Sequence, residues 1–373
     1  MMGLIAALMG LHDQEILYFE KALSLNPTDE VIRLNSQRVR NASSEKPFIQ
    51  PSGERLLLIK AWGYGFWSDV NHVLACLLLA EITGRIPLTH WGGNSLFGDG
   101  SGRDAFQVYF EPVSAVALGD LTALKTASFF PDKWSAANIL QDECQKWEGA
   151  GSQVPSLYFL NRPETVAVSD YHVGVVDLLP WIPQTHELHG NSAAASLRWL
   201  AAKYLRPNRS VAAELDAFYR DNLAGRQTIA VHVRGTDKYP EMSDIDPTCQ
   251  RYFDLIDQDD SSSQIFLLTD DWRYVRLFQQ RYGARVAMTD AHRSQDNTGV
   301  HHDRSVQPVR RGIEVSKDVY LALRCQKFIG NGESNVAATI SMLKEWDKEA
   351  CTLLAPSRLC RRQVIELHGK LST

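Results

Sequence analysis

The feature of this sequence that most limits its fold is the alternation of short apolar strands with helices. It occurs in two separate stretches, from RLLLIKA to RIPLTHW at residues 55–91 and from QTIAVHV to SNVAATISMLKEW at residues 227–346. Apolar strands separated by helices are typical of a parallel sheet covered by helices on both faces. The sequence therefore predicts an α/β protein in which two Rossmann-like domains face a cleft.

Four segments follow from this pattern. We predict a helical, repeat-like extension over residues 1–45, an N-terminal Rossmann-like domain over 54–205, a C-terminal Rossmann-like domain over 226–350 and a C-terminal segment over 351–373. Two amphipathic helices, at 193–206 and 209–224, join the domains. Residues 93–190 have a looser pattern and are rich in tryptophan and loops.

The N-terminal segment has the pattern of a short helical hairpin. Residues 12–40 read as helix, turn, helix, and YFEKALSLNP resembles the second helix and turn of a tetratricopeptide repeat. The predicted apolar face consists of Leu17, Ala22, Leu23 and Leu25. Solenoid repeats need about three copies to be stable alone. We therefore expect this remnant to dock on the body of the protein, with partner recruitment as the alternative.

Composition excludes several classes of protein. The 373 residues carry a net charge of -5, so no general basic field attracts nucleic acid or an anionic membrane. The longest apolar run, LACLLLAEI, is too short to span a bilayer. Six cysteines without a CxxC pair are expected to be mostly free thiols. These features predict a protein without a transmembrane segment that works in the cytoplasm.

Glycines follow the first strand. Gly63, Tyr64 and Gly65 lie between LLLIKA and the apolar helix after it. Glycine lets the backbone approach a ligand closely, and the N-terminus of a helix favours an anion. A tight turn without any ligand would need glycine as well, so both interpretations stay open.

The first strand of the second series ends in a highly charged stretch, VHVRGTDKYPEM. His232 and Arg234 lie on the same side of the strand, because side chains alternate with period two. Arginine stays charged and can donate two parallel hydrogen bonds to a phosphate. The alternative is a structural ion pair between Arg234 and Asp237.

Two further strand ends carry polar residues. Asp270 and Asp271 follow FLLT and would cap the next helix or bind a metal, although no third carboxylate or histidine has a spacing that supports a metal. Ser334 and Asn335 open a helix directly after a strand. Backbone N–H groups and the hydroxyl there could hold a diphosphate, and an N-cap serine is the compatible structural interpretation.

Together these motifs resemble the fucosyltransferases of the GT-B fold, such as the core α1,6-fucosyltransferases, the nodulation fucosyltransferases and the protein O-fucosyltransferases. The resemblance covers roughly residues 55–92 and 226–345. It rests on GYG before a helix that contains a histidine, on HVRGTDK, on TDD and on RGIEVSKDVYLALRCQKFIGNGESN, in matching order and spacing. It implies GDP-fucose as the donor substrate and an inverting transfer that needs no metal and no other cofactor.

The resemblance also implies roles for individual residues. Arg234 would bind the β-phosphate and balance the charge of the leaving diphosphate, while His232 and Asp318 would bind the guanine. Asp270 would shape the site. The remaining residues expected at the donor are Gly63, Tyr64, Gly65, Lys238, Asp271, Arg311, Ser334 and Asn335.

One position departs from the family pattern. Core-type enzymes often have a second arginine directly after the first, and this chain has Gly235 there. One cationic contact to the diphosphate is therefore missing, or it comes from Lys238 or Arg311.

The catalytic base follows from the chemistry and the resemblance together. An inverting transfer needs a group that takes the proton from the attacking acceptor hydroxyl. Glu241 lies within one residue of the acid that the family has after this motif, and it is the predicted base. Asp237 and Asp69 are the alternatives.

Three functions remain compatible with the sequence. The first is fucose transfer from GDP-fucose to a hydroxyl of a bacterial-type glycan or a peptide. The second is a transferase of the same shape that uses another GDP-sugar, and the third is a non-catalytic scaffold that binds GDP-sugars. The acceptor is not determined by any motif.

Overall fold

The computed structural model describes residues 12–29, 32–33, 36–37, 54–123, 127–141, 154–235, 245–259, 261–295 and 306–362. The helices are α1 His12–Leu25, α2 Phe66–Thr83, α3 Phe106–Tyr109, α4 Leu118–Ala123, α5 Val175–Leu178, α6 Ala193–Tyr204, α7 Arg209–Asn222, α8 Ile245–Asp257, α9 Trp272–Tyr282, α10 Pro308–Ala322 and α11 Asn335–Leu343. The strands are β1 Leu56–Lys60, β2 Ile86–His90, β3 Phe129–Phe130, β4 Val166–Ser169, β5 Thr228–Val233, β6 Gln264–Thr269, β7 Val286–Ala287, β8 Lys327–Gly330 and β9 Cys351–Leu353.

The strands form two parallel sheets, as the alternating pattern predicts. The first sheet has the order β2-β1-β4-β3, and the second has the order β7-β6-β5-β8-β9. Every strand pair in both sheets is parallel. The predicted α/β fold class with two Rossmann-like sheets is confirmed.

Several element boundaries differ from the sequence prediction. The segment VNHVLACLLLAEITG predicts a helix from Val70, but α2 begins four residues earlier, at Phe66, because Gly65 has an extended backbone and its carbonyl accepts the N–H of Ser68. The segment GIEVSKDVYLALRC predicts a helix from Gly312, and α10 begins at Pro308. Strand β9 was not predicted, and it extends the second sheet beyond residue 350.

Helix α2 is buried on all sides, which explains why its sequence is apolar all round. Sixteen of its 18 residues are buried, as expected of a helix inside a core. The indole N–H of Trp67 donates to the carbonyl oxygen of Val315 in α10 at 3.0 Å. The side-chain amide of Asn71 donates to the hydroxyl of Thr339 in α11 at 2.9 Å. Helix α2 therefore joins the first sheet directly to the helices of the second.

The two sheets share one hydrophobic core. The same cluster contains residues of the first sheet, of α2 and of the second sheet and its helices, including Leu57, Ile59, Val73, Ala230, Phe266, Val319 and Ala337. The opposite faces of the two sheets have their own smaller clusters. The length of the chain and the two predicted domains would allow a core in each half, but the apolar surface of α2 merges them into one.

A close contact also joins α10 to the first half of the chain. A Cβ added at Gly312 would collide with the ring and hydroxyl of Tyr109. The Tyr109 hydroxyl donates to the carbonyl oxygen of Phe97 at 2.6 Å and lies 3.3 Å from that of Val309. Glycine at position 312 is thus what allows α10 to approach this tyrosine.

Helix α1 packs on the body of the protein through a face that differs from the predicted one. Phe19 is buried and packs with Ile16 and Tyr158, whereas Leu17 and Leu25 are exposed. The predicted apolar face was therefore wrong at these two leucines, because docking uses the aromatic residue on the other side of the helix. Repeat ancestry and contact with a partner protein stay predictions.

Candidate active site

The candidate site lies where the second sheet reverses its strand order. From β5 the chain adds β6 and β7 on one side and then returns to place β8 on the other side of β5. Ligands of open α/β sheets bind at the carboxyl ends of the strands, at such a switch point. His232 and Arg234 lie at the end of β5, and Ser334 and Asn335 follow β8.

Arg234 is held by an acid from the neighbouring strand. Its Nε lies 3.3 Å from Oδ2 of Asp270, which follows β6. The other oxygen of Asp270 accepts the backbone N–H of Gly235 at 2.9 Å. Asp270 therefore fixes both the side chain and the loop that follow β5. The alternative ion pair between Arg234 and Asp237 stays a prediction, because Asp237 lies outside the described residues.

The position of Gly235 explains the departure from the family pattern. A Cβ at this residue would lie 2.5 Å from the Cβ of Asp271 and 2.8 Å from Cε2 of Tyr274. Both of these side chains are buried. In this chain, Asp271 and Tyr274 therefore occupy the space that the Cβ of a second arginine would need.

Gly235→Ala should lower the free energy of unfolding by about 1 to 3 kcal/mol, because the methyl group overpacks a buried contact. The measurement is a denaturant or thermal unfolding curve. Gly65→Ala is the matched control, since a Cβ there has nothing within 4 Å and should leave stability unchanged. A Gly235→Ala protein as stable as the wild type would contradict this packing.

His232 is a buried, neutral histidine with an unused nitrogen. It is 5% exposed, and burial lowers its pKa to about 4 even though the Asp270 carboxylate acts in the opposite direction. Its Nδ1 has no hydrogen-bond partner among the described residues. A buried polar atom without a partner costs free energy, so a ligand that bonds this nitrogen would recover that cost.

Asp271 has a structural role in α9, and its predicted contact with the donor stays a prediction. It caps α9 by accepting the N–H of Arg273 at 2.8 Å. Its two carboxylate oxygens also accept the Arg273 Nε at 3.0 and 2.9 Å. The residue is 1% exposed, so its oxygens are already used and shielded. Both acids lie against the loop after β5: Asp270 bonds Arg234 and the Gly235 N–H, whereas Asp271 packs against Gly235.

Asp318 lies in α10 and is held beside the end of β7. The hydroxyl of Thr289, two residues beyond β7, donates to its Oδ1 at 2.6 Å. Burial raises the pKa of Asp318 to about 6, although Thr289 and the positive charge of Arg293 favour the ionised form. Thr289 and Arg293 were not predicted as site residues. The sequence feature that could have indicated Thr289 was its position at the end of the predicted strand ARVAMT.

The start of α11 has no side-chain cap. Ser334 stands at the N-cap position, but its side chain makes no capping hydrogen bond. The first N–H groups of a helix have no partner within the helix, and they carry partial positive charge. The capping interpretation therefore does not hold for the Ser334 hydroxyl, and both Ser334 and Asn335 are only half-buried.

The glycine loop after β1 is fixed by an acid from α2. Asp69 Oδ1 accepts the N–H of Gly63 at 2.9 Å and that of Tyr64 at 3.3 Å. Gly63 has a φ of 88°, which favours glycine. Asp69 is completely buried. It thus shapes the loop, and this burial gives no support to its role as an alternative catalytic base, which stays a prediction.

The other predicted site residues are less completely placed. Arg311 is buried in α10, and its positive charge acts on Tyr109 at the contact between the two halves of the chain. Asp237, Lys238 and Glu241 lie outside the described residues. Their roles stay predictions.

The described residues contain neither a metal-binding cluster nor a membrane-spanning helix. No group of three or more His, Cys, Asp or Glu side chains in these ranges is arranged to hold a metal ion. Within the same ranges, no helix has both the length and the apolar character needed to cross a bilayer.

Comparison with known proteins defines the fold. No protein-family model matches the sequence, and no curated protein matches it. Solved structures do match: the chain is similar to the alpha-1,6-fucosyltransferase NodZ soaked with GDP-fucose, at 17% identity over 78% of this chain and 93% of that one, with a TM-score of 0.51. NodZ from Bradyrhizobium in selenomethionine form gives 18% identity over the same shares and a TM-score of 0.52.

A plant enzyme has a similar fold. A point mutant of FUT1 from Arabidopsis thaliana, in complex with GDP, matches at 12% identity over 94% of this chain and 81% of that one, with a TM-score of 0.50. At such identities the similarity concerns the fold. The two parallel sheets and their helices have the GT-B arrangement of these fucosyltransferases, as the sequence motifs predicted.

Proposed function

We propose that the protein is a glycosyltransferase that moves fucose from GDP-fucose to an acceptor hydroxyl. The observation that carries the proposal is the convergence of a paired arginine, a buried histidine with an unused nitrogen and a helix start without a side-chain cap at the switch point of the second sheet. The solved structures of similar fold that contain GDP or GDP-fucose support the same donor.

In this proposal, some of the site residues bind the guanine of GDP and others bind its diphosphate. His232 Nδ1 and the Asp318 carboxylate bind the guanine, with Asp318 accepting from its N1 and N2 donors. Arg234 donates to the β-phosphate, and Ser334 and Asn335 bind the diphosphate at the start of α11. Asp270 is a positioning residue, because it contacts Arg234 and the Gly235 N–H.

The reaction is a displacement with inversion. The acceptor oxygen attacks C1 of the fucosyl group from the face opposite the diphosphate. The C1–O bond breaks, and its electron pair goes to the β-phosphate of GDP. A carboxylate takes the proton of the acceptor hydroxyl. Charge that develops on the leaving GDP would be stabilised by Arg234 and by the helix N–H groups, which are fixed donors.

The proposal includes transfer without a metal cofactor. The donors above would supply the positive charge that a divalent cation supplies in other sugar transferases. If activity with GDP-fucose were lost in a chelator and restored by Mg²⁺ or Mn²⁺, this part of the proposal would be withdrawn. The proposed compartment is the cytoplasm. This is supported by the thiols of Cys76, Cys325, Cys351 and Cys360, which form no disulfide among the described residues.

Glu241 is the proposed base. Glu241→Gln should lower kcat by about 100-fold or more, because the amide cannot take a proton, and GDP affinity should not change. Rates of fucose transfer and calorimetric titration with GDP measure the two quantities. Asp237→Asn is the matched comparison. A wild-type rate for Glu241→Gln together with a loss in Asp237→Asn would move the role to Asp237.

Titration with nucleotides tests the proposed function as a whole. GDP should bind the full chain more tightly than UDP or ADP in isothermal titration calorimetry. GDP-fucose should then be turned over faster than GDP-mannose when release of GDP is followed. Binding of GDP without turnover of any GDP-sugar would favour a scaffold, and equal affinity for all three nucleotides would reject the guanine site.

A further inference from the structure

Strands β1 and β4 are neighbours in the first sheet, whose order is β2-β1-β4-β3. The loops after β1 and β4 therefore lie side by side at the carboxyl edge of this sheet, where ligands of open α/β sheets bind. Polar residues and glycines lie at the carboxyl edge of the second sheet, whereas aromatic residues lie at that of the first.

Four rings from these two loops form a cluster that we call the aromatic platform: Trp62, Tyr64, Tyr171 and His172. Trp62 is at its centre, with its ring centroid 4.8 Å from that of Tyr64 and 4.9 Å from that of Tyr171. The His172 ring lies 5.6 Å from Trp62. Tyr171 is buried and packs against Trp62 in a T-shaped contact, at an interplanar angle of 84°.

The outer part of the platform reaches the surface. Tyr64 is 46% exposed, and among the described residues it is the one Phe, Trp or Tyr in the exposed class. Trp62 and His172 are half-buried. Next to Tyr64, a Cβ at Gly65 would have nothing within 4 Å, so the backbone there is open on its outer side. An exposed ring beside an open backbone is suited to contact with a ligand.

The platform is linked to the proposed donor site by a short rigid path. Helix α2 starts directly after Gly65, and Asn71 on this helix contacts Thr339 of α11. Gly65 to Asn71 spans roughly 9 Å along a helix, and Thr339 to the start of α11 roughly 6 Å. Because α11 starts at the proposed diphosphate site, a ligand on the platform lies within a few sugar lengths of the donor.

We propose that the aromatic platform binds a saccharide, and that the acceptor of the transfer is therefore a carbohydrate rather than a peptide. The proposal rests on the proposed function and deepens it. The C–H face of a pyranose ring packs on an aromatic face, and the His172 ring nitrogens and the Tyr64 hydroxyl can bond sugar hydroxyls. The four side chains carry no fixed charge, which suits a neutral ligand. Tyr64, which the family resemblance places beside the donor, thus belongs to the acceptor.

Binding of defined oligosaccharides to the full chain tests the proposal. Cellotetraose, chitotetraose and maltotetraose are titrated in the presence of GDP, and binding is followed by saturation-transfer NMR. At least one should bind the wild type at millimolar concentration or below. Tyr64→Leu and Trp62→Leu should weaken that binding about tenfold by removing ring contacts. Tyr64→Phe keeps the ring and should retain most of the affinity.

The GDP affinity of the same variants separates this proposal from the proposed function. It should stay at the wild-type value in Tyr64→Leu, whose exposed position also makes the variant safe for folding. If none of the three oligosaccharides binds, or if Tyr64→Leu binds them as the wild type does, the saccharide assignment is overturned while GDP binding still stands. If Tyr64→Leu weakened GDP binding as much as oligosaccharide binding, the platform would instead be assigned to the donor site.

Discussion

Arg234→Ala should lower kcat for turnover of GDP-fucose by about 100-fold or more, the loss typical when one fixed donor to a developing negative charge is removed. Arg234 stands at the end of β5 with its guanidinium aligned by Asp270. The leaving GDP gains charge as the C1–O bond breaks, so the arginine contributes more to the transition state than to the bound donor. Release of GDP from saturating GDP-fucose is the measurement.

Arg273→Ala is the matched control for this prediction. Arg273 is also paired with an acid at the end of β6, and its side chain is 29% exposed against 26% for Arg234. It contacts the capping acid Asp271, and no donor role is proposed for it. Arg273→Ala should therefore cost some stability and leave kcat within a few-fold. Equal losses of kcat in both variants would mean that Arg234 acts through the fold alone.

Asp318→Asn should raise the Kd of GDP by about 10- to 100-fold, the effect of losing hydrogen bonds to a charged group. The carboxylate accepts from N1 and N2 of guanine, whereas an amide offers one oxygen and presents an N–H₂ group to the other donor. Inosine diphosphate lacks the N2 amino group and provides a matched ligand. Wild type should prefer GDP over it, and Asp318→Asn should not. Asp216→Asn removes a surface acid and should leave both affinities unchanged.

The same residue predicts how GDP binding depends on pH. Burial raises the pKa of Asp318 to about 6, and GDP requires its ionised form. The affinity of the wild type should therefore rise as the pH increases through 6 and level off above it. His232, with a pKa lowered to about 4, stays neutral over this range. The phosphates of GDP also titrate near pH 6. The contribution of Asp318 is therefore the difference between the pH dependence of GDP affinity in the wild type and that in Asp318→Asn.

The unliganded protein should show the opposite trend. A carboxyl group whose pKa is raised on folding binds its proton more tightly in the native state. Its contribution to the free energy of unfolding therefore decreases as the pH rises from about 4 to about 6. Unfolding curves of the wild type and of Asp318→Asn across this range measure that contribution. No difference in slope between the two proteins would show that Asp318 does not titrate in this range.

The class of fold and the location of the site follow from local patterns in the sequence. The alternation of apolar strands and helices predicts two parallel sheets because burial on both faces requires apolar residues all along each strand. The motifs GYG, HVR, TDD and ESN each lie at or directly after the carboxyl end of a predicted strand, and the parallel strands of a sheet bring such positions to one edge. These inferences need only the period of the pattern and the direction of the chain, which short stretches of sequence contain.

The partners of the site residues were decided by the tertiary structure. Arg234 pairs with Asp270, 36 residues further along the chain, and Thr289 holds Asp318; both contacts depend on which strands become neighbours. The platform formed by Trp62 and Tyr171 likewise exists because β1 and β4 lie side by side. Which strands become neighbours depends on how α2 and the two sheets pack together. Residues from the whole chain contribute to that packing. The sequence by itself therefore determined which chemistry lies at the strand ends, while only the fold determined which groups meet there.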